Sequence, residues 1–129
     1  MSGLSEVLLI DDNPLQLKVR EAVLRNGGFQ VVVATTAMSA LALLRTLADH
    51  IGVVVTDHVM PESSGANLVR AIRAENNWLP IIVLSGLPEA MVEYEGLDVV
   101  VRVKPLPPAE LMELIRKSLD QGTGHRGAA

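Results

Sequence analysis

Four apolar stretches of the sequence each end on a side chain that can do chemistry. In chain order, the residues that follow these stretches are Asp11 and Asp12, Asp57, Ser85, and Lys104. Runs of apolar, mostly β-branched residues such as Val53–Val55 are typical of strands buried within a parallel sheet. The carboxyl ends of parallel strands lie along one edge, where open α/β sheets bind their ligands. These five polar side chains are therefore predicted to meet at one edge of a sheet.

The residue types at this edge indicate a particular chemistry. Crowded carboxylates at Asp11, Asp12 and Asp57 would repel one another unless a cation lay between them. Oxygen ligands without His or Cys favour a hard ion, Mg²⁺ first, and the chain has no cysteine. The Lys104 ammonium and the Ser85 hydroxyl are suited to holding phosphoryl oxygens. A carboxylate nucleophile, a divalent cation, an ammonium and a hydroxyl together indicate phosphoryl transfer to aspartate.

Each of these residues also has an ordinary structural explanation. Asp11-Asp12 can cap a helix and Asp57 can be a solvated loop carboxylate. Ser85-Gly86 is a common turn dipeptide, and Lys104-Pro105 is a common strand exit. These explanations are independent of one another, whereas a single phosphoryl site explains the presence of all five residues. We therefore favour the phosphoryl site.

The elements that position these residues alternate along the chain. Strands are predicted at 6–10, 29–34, 51–56, 80–84 and 98–103, and helices at 15–25, 37–48, 65–75, 88–94 and 107–119. Asn13 and Pro14 are predicted to begin the first helix, with Arg20 on its polar, outward side. This order predicts an α/β fold: a (βα)5 flavodoxin-like, doubly wound parallel sheet of five strands in the order 2-1-3-4-5. Strands one and three are then neighbours, which brings the acidic residues together.

Composition limits the domain organisation and the partners. The 129 residues predict one domain over 1–121 and a flexible, glycine-rich tail over 122–129. A net charge of −4 and the scarcity of aromatic residues argue against nucleic acid and against an anionic membrane as partners. The absence of a leader-like or membrane-spanning apolar segment predicts a cytoplasmic protein.

The chain resembles the receiver domain of two-component response regulators, of the single-domain chemotaxis-regulator type, over residues 6–120. The matching motifs are Leu9-Ile10-Asp11-Asp12-Asn13, Asp57-His58-Val59-Met60-Pro61 with Gly65, Leu84-Ser85-Gly86, and Val103-Lys104-Pro105. The resemblance implies that Asp57 is the phosphoacceptor, phosphorylated by a histidine kinase or a histidine phosphotransfer protein. It also implies that the chain mediates only its own phosphorylation and dephosphorylation and is not an enzyme acting on an external substrate.

The resemblance further implies a Mg²⁺ site. Asp12 and Asp57 would bind the ion directly, together with the backbone carbonyl of Val59. Asp11 would act mainly through water.

The remaining roles that the resemblance implies concern the phosphoryl group. Lys104 would contact the acyl phosphate, and Ser85 would swing inward to donate a hydrogen bond to it. Lys104-Pro105 would be a cis peptide. His58 is predicted to be no more than a half-exposed loop histidine, because neighbouring side chains on a strand point to opposite sides.

Two features depart from the family pattern. Val101 occupies the position of the usual aromatic switch residue, three before the lysine. The segment between Ser85 and Lys104 is short, which reduces the fourth helix. The face formed by the fourth helix, fifth strand and fifth helix is the family's usual signalling face. We therefore expect an atypical output surface, through which the chain could also form a homodimer.

Three other functions compete with a stand-alone phosphorylated switch. The chain could be a receiver excised from a hybrid histidine kinase or a larger regulator. It could also be a docking or dimerisation module that needs no phosphorylation, although such a module has no use for the acidic residues. An aspartate-nucleophile phosphatase would need a carboxylate at position 59, where this chain has Val59.

Overall fold

The computed structural model describes residues 5–59 and 64–128, which form a five-stranded sheet and its covering helices. The strands are β1 (Glu6–Ile10), β2 (Gln30–Ala34), β3 (Ile51–Asp57), β4 (Ile81–Ser85) and β5 (Val100–Val103). The helices are α1 (Pro14–Asn26), α2 (Ala37–Thr46), α3 (Gly65–Glu75), a 3₁₀ helix (Pro88–Tyr94) and α4 (Pro108–Ala128). All strand pairs are parallel in the order β2-β1-β3-β4-β5, which confirms the predicted fold.

The core consists of two apolar layers, one on each face of the sheet. Alternate β1 residues contribute to opposite layers because side chains alternate along a strand. Leu8 and Ile10 pack with residues of α2 and α3, whereas Val7 and Leu9 pack with residues of α1 and α4. β3 is buried along its whole length. The strand that carries Asp57 is therefore held from both sides.

Side-chain caps begin the first two helices, and the cap of α1 is the predicted one. Asn13 caps α1, with its side-chain oxygen accepting a hydrogen bond from the Gln16 backbone N–H at 3.1 Å. Pro14 occupies the first turn, where a missing N–H costs nothing. Thr36 caps α2 with a reciprocal hydrogen-bond pair to Ser39.

Several predicted boundaries were wrong. α2 ends at Thr46 rather than 48. The fourth helical segment has the predicted bounds, 88–94, but it is a 3₁₀ helix. β5 begins at Val100 because Asp98 has a φ of 56°, a left-handed conformation that interrupts the strand.

The last helix also differs from its predicted length. It continues past residue 119 to Ala128, through the glycine-rich segment that we expected to leave the helix. The domain boundary at residue 121 stays a prediction. Over the part of the chain that the structure describes, no helix is both long and apolar enough to cross a bilayer.

Candidate functional site

The strand register places the candidate residues side by side at the carboxyl edge of the sheet. The pairs that set this alignment are Ile10 with Thr56, Asp57 with Leu84, and Ser85 with Val103. Asp11 and Asp57 each follow the Ile10–Thr56 pair directly, so their carboxylates are neighbours across β1 and β3. Lys104 follows β5 in the same way, and its backbone N–H donates to the Ser85 carbonyl at 2.7 Å. The sequence order therefore brings these groups together through register alone.

Asp57 is the buried centre of the site. It is 4% exposed, and Lys104 Nζ lies 3.4 Å from its Oδ1 atom. Burial is the largest cause that raises the pKa of Asp57 to about 6, the neighbouring Asp11 adds to the rise, and the charges of Lys104 and Arg20 oppose it. The Lys104-Pro105 peptide is cis, as the resemblance implied. The ionised form of Asp57 is thus disfavoured by burial, and the Lys104 ammonium lies directly beside it.

Arg20 is a residue of the site that the sequence analysis missed. Its Nη1 atom lies 3.2 Å from Asp11 Oδ2 and 3.6 Å from Asp57 Oδ1, and the side chain is only 15% exposed. The prediction that Arg20 faces outward was therefore wrong. A signal was present in the sequence, because Arg20 lies three residues after Leu17 and four before Leu24, both buried on the inner face of α1.

The acidic residues are brought together only in part. Asp11 is fully buried, and its Oδ1 atom also accepts a hydrogen bond from the Asn13 backbone N–H at 2.9 Å. Among the described residues, no group of three His, Cys, Asp or Glu side chains is gathered closely enough to hold a metal ion. Asp12 therefore does not complete a trio with Asp11 and Asp57 in this arrangement.

The pocket between Asp11 and Asp57 nevertheless fits a cation. The Arg20 guanidinium contacts both carboxylates and supplies positive charge at the place where a metal ion would be needed. The donors at this place are carboxylate oxygens, which hard divalent ions prefer. Val59, the predicted carbonyl ligand, follows β3 with a 64% exposed residue surface. Met60 and Pro61 of the same motif lie outside the described residues.

Ser85 is buried, and its hydroxyl is hydrogen-bonded to the Leu87 backbone. Its Oγ donates to the Leu87 carbonyl at 3.0 Å and accepts from the Leu87 N–H at 2.9 Å. The hydroxyl thus closes a small turn after β4.

His58 is also part of the site's surroundings, contrary to prediction. It is 6% exposed rather than half-exposed, and its Nδ1 atom lies 2.6 Å from the Tyr94 hydroxyl oxygen. Glu93 approaches the other ring nitrogen, Nε2, at 3.5 Å. The residue after Asp57 therefore connects β3 directly to the end of the 3₁₀ helix. The two ring-bearing residues are distant in sequence, and no local pattern marks the pair.

Gly65 makes this connection sterically feasible. A Cβ atom at this position would lie 2.6 Å from the Tyr94 hydroxyl oxygen, 2.8 Å from the Asp57 carbonyl oxygen and 2.9 Å from the His58 Cα. Such approaches are far inside van der Waals contact. Only glycine allows α3 to begin this close to the end of β3.

The parallel five-stranded fold, with an acidic site at the carboxyl edge of its sheet, is the arrangement of response regulator receiver domains. Comparisons with known proteins lead to the same class. The sequence model of the response regulator receiver domain matches residues 7–116. The chain belongs to the response regulator receiver domain family.

Relatives and solved structures place the chain within that family. The two-component response regulator ORR22 of Oryza sativa subsp. indica is 36% identical over 91 residues, covering 70% of this chain and 13% of the relative. The two-component response regulator ARR11 of Arabidopsis thaliana is 31% identical over 137 residues, covering 95% of this chain and 26% of the relative. The crystal structure of a response regulator receiver protein from Pseudomonas putida superposes with a TM-score of 0.82 at 34% identity, covering 91% of this chain and 99% of that one. The chain thus spans about a quarter or less of these two curated relatives.

Proposed function

We propose that this chain is a phosphorylation-controlled switch in which Asp57 accepts a phosphoryl group from a histidine kinase or a histidine phosphotransfer protein. An Asp57 carboxylate oxygen attacks phosphorus, the bond between phosphorus and the donor nitrogen breaks, and the imidazole leaves with the electron pair. The single observation that carries this proposal is the contact between buried Asp57 Oδ1 and Lys104 Nζ at 3.4 Å. A nucleophilic oxygen and a cation able to stabilise the incoming oxygens are then adjacent.

The proposal includes a Mg²⁺ ion held by Asp12 and Asp57, by the Val59 backbone carbonyl, and by Asp11 through water. When bound, the ion would neutralise charge on the phosphoryl oxygens. The chain's own contribution is to hold Asp11 and Asp57 buried and adjacent, which the Arg20 contacts to both support. Asp12 is half-buried and would complete the ligand set by turning toward them.

Ser85 would contribute after phosphorylation. In the described arrangement its hydroxyl is engaged with the Leu87 backbone, so it must leave that turn to donate to a phosphoryl oxygen. Such a movement would carry the β4 end and the start of the 3₁₀ helix with it. This provides a route from the site to the surface.

The signal would leave through protein–protein interaction on the face formed by the 3₁₀ helix, β5 and α4. Val101, which replaces the usual aromatic switch, is 8% exposed and has no ring to rotate. The elements of this face expose large apolar side chains: Met91 and Val92 of the 3₁₀ helix, Leu87 just before it, and Val103 of β5. Exposed apolar groups on an edge strand and the adjoining helix favour a partner there, including a second copy of this chain. The proposed location is the cytoplasm, and nucleic acid and membrane are not proposed partners.

The test is incubation with Mg²⁺ and acetyl phosphate, followed by intact mass and by size-exclusion chromatography. The wild type should gain one phosphoryl group, Asp57→Asn should gain none, and the exposed-carboxylate control Asp49→Asn should behave as wild type. A Mg²⁺-dependent change of size with beryllofluoride would assign the output to self-association. Equal labelling of wild type and Asp57→Asn would contradict the proposal.

Two alternatives remain as proposals. The greater length of the relatives favours a receiver that belongs to a larger regulator or hybrid histidine kinase, and the mass of the protein isolated from its host would decide this. A docking module independent of phosphorylation would bind its partner equally with and without the beryllofluoride mimic. The site chemistry around Asp57 favours the switch over this module.

A further inference from the structure

Arg20 is a cation of the site whose position no motif explains. It lies on the inner face of α1, and its Nη1 atom contacts Asp11 Oδ2 at 3.2 Å and Asp57 Oδ1 at 3.6 Å. The two carboxylate side chains are only 1% and 6% exposed. A guanidinium stays charged at every accessible pH, so this positive charge is permanent.

The charges of the site show what Arg20 changes. Asp11, Asp12 and Asp57 carry three negative charges when ionised, and Lys104 supplies one positive charge. Without Arg20 the site would hold two uncompensated negative charges, and with Arg20 it holds one. Two nearly buried carboxylates that share a guanidinium attract a further cation less strongly than the same pair without it.

We propose that Arg20 is an internal counter-cation that competes with the divalent ion for Asp11 and Asp57. Mg²⁺ binding then requires the guanidinium to withdraw from at least one of the two carboxylates. Half-saturation with Mg²⁺ then requires a higher Mg²⁺ concentration than the same acidic residues would require without Arg20. This inference rests on the proposed function only in taking Mg²⁺ as the ligand of the acidic pocket.

Neighbouring contacts support a guanidinium that can move. The contact to Asp57, at 3.6 Å, is longer than a hydrogen bond. Arg20 and Lys104 also line a cavity of about 440 Å³, together with Gln16, Leu84 and Leu111. This space borders the Arg20 residue and offers room for its side chain when the guanidinium leaves the carboxylates.

The test is titration with Mg²⁺ alone by calorimetry, without any phosphoryl donor. Arg20→Met removes the charge and keeps the apolar part of the side chain, and it should bind Mg²⁺ about tenfold more tightly than wild type. Arg20→Lys keeps the charge on a shorter side chain, and its Mg²⁺ affinity should lie between those of wild type and Arg20→Met. The matched control is Lys18→Met, which removes the same charge from an exposed position of the same helix and should stay within about twofold of wild type.

Every result of the titration decides the inference. Equal or weaker Mg²⁺ binding by Arg20→Met overturns it, because a residue that merely ties α1 to the sheet would never oppose the ion. The inference is equally overturned if neither protein binds Mg²⁺, or if Lys18→Met tightens binding as much. Arg20→Gln, which removes the charge and keeps a polar side chain, takes the place of Arg20→Met if the latter does not fold, with the same expected result.

The titration is also separate from phosphorylation. If Asp57 accepts no phosphoryl group while Arg20→Met binds Mg²⁺ more tightly, the proposed function fails and the role of Arg20 stands. If Asp57 is phosphorylated while Mg²⁺ affinity is unchanged in Arg20→Met, the role of Arg20 fails and the proposed function stands.

Discussion

Asp57 lies between two flanks that are built in different ways. The charged flank consists of Asp11, Arg20 and Lys104, whose ionic contacts with one another and with Asp57 range from 3.2 to 3.6 Å. The packed flank consists of His58, Gly65 and Tyr94, joined by a 2.6 Å hydrogen bond and by backbone approaches that exclude even a methyl group. One flank is held by attraction between charges and the other by close steric packing.

This difference assigns different roles to the two flanks. The ionic contacts of buried charges can be exchanged for contacts with a metal ion or a phosphoryl group, because the incoming charge replaces the partner that each contact loses. Close packing does not deform gradually, so it transmits a displacement to whatever it touches. Ligands should therefore rearrange the charged flank, while the packed flank should carry any movement of β3 to the 3₁₀ helix.

The packed flank is expected to give the largest effect on mutation. Gly65→Ala should lower the free energy of unfolding by about 3 kcal/mol, because the new methyl group meets two backbone atoms that cannot move aside. Urea unfolding measures this, and Gly86→Ala is the matched control, since a Cβ there meets nothing within 4 Å. In a Tyr94→Phe background the loss should shrink only in part, since the Asp57 and His58 backbone contacts remain. Equal stability of the two alanine variants would show that the packed flank is not tight.

The charged flank should give an effect of the opposite sign that depends on pH. The pKa of Asp57 is raised from 3.8 to about 6, so the folded protein keeps a proton that the unfolded chain has released between these values. Stability from this group is therefore present below pH 4 and is lost as the pH rises to 6. Asp57→Asn removes the ionisation, and its free energy of unfolding should exceed that of wild type by about 3 kcal/mol at pH 7, since each pKa unit is worth about 1.4 kcal/mol.

The measurement is urea unfolding with a chelator present at several pH values. The gain from Asp57→Asn should shrink toward pH 4, and the exposed control Asp49→Asn should show no such trend. The absence of a gain at pH 7 would mean that Arg20 and Lys104 already compensate the buried charge fully. A gain that is independent of pH would mean that it does not come from the ionisation of Asp57.

The two flanks also differ in how much of them the sequence predicts. The strand order and the positions of Asp11, Asp57, Ser85 and Lys104 follow from apolar runs that end on polar residues, because register converts sequence position into proximity. Arg20 could have been found from its place on the inner face of α1, since a core-facing arginine needs carboxylate partners.

The packed flank could not be predicted in the same way. His58 and Tyr94 meet across 36 residues of chain, and whether they touch depends on how the short 3₁₀ helix returns to the sheet. Gly65 was recognised as part of a motif, but the reason for a glycine there needs the coordinates of both neighbours. Local patterns determine elements and edges, whereas contacts between loops depend on tertiary packing.

The smallest effect separates the flanks most directly. Tyr94→Phe leaves the buried His58 Nδ1 without its hydroxyl partner and should cost about 1 kcal/mol of unfolding free energy. A double-mutant cycle with His58→Leu should return a coupling of similar size, because the two side chains share one hydrogen bond. The Mg²⁺ affinity of Tyr94→Phe should equal that of wild type, since neither ring contacts a carboxylate of the charged flank in the contacts described. A Mg²⁺ affinity that shifts as far as in Arg20→Met would mean that both flanks respond as one unit, and that the hydrogen bond to Tyr94 helps to set the charge state of Asp57.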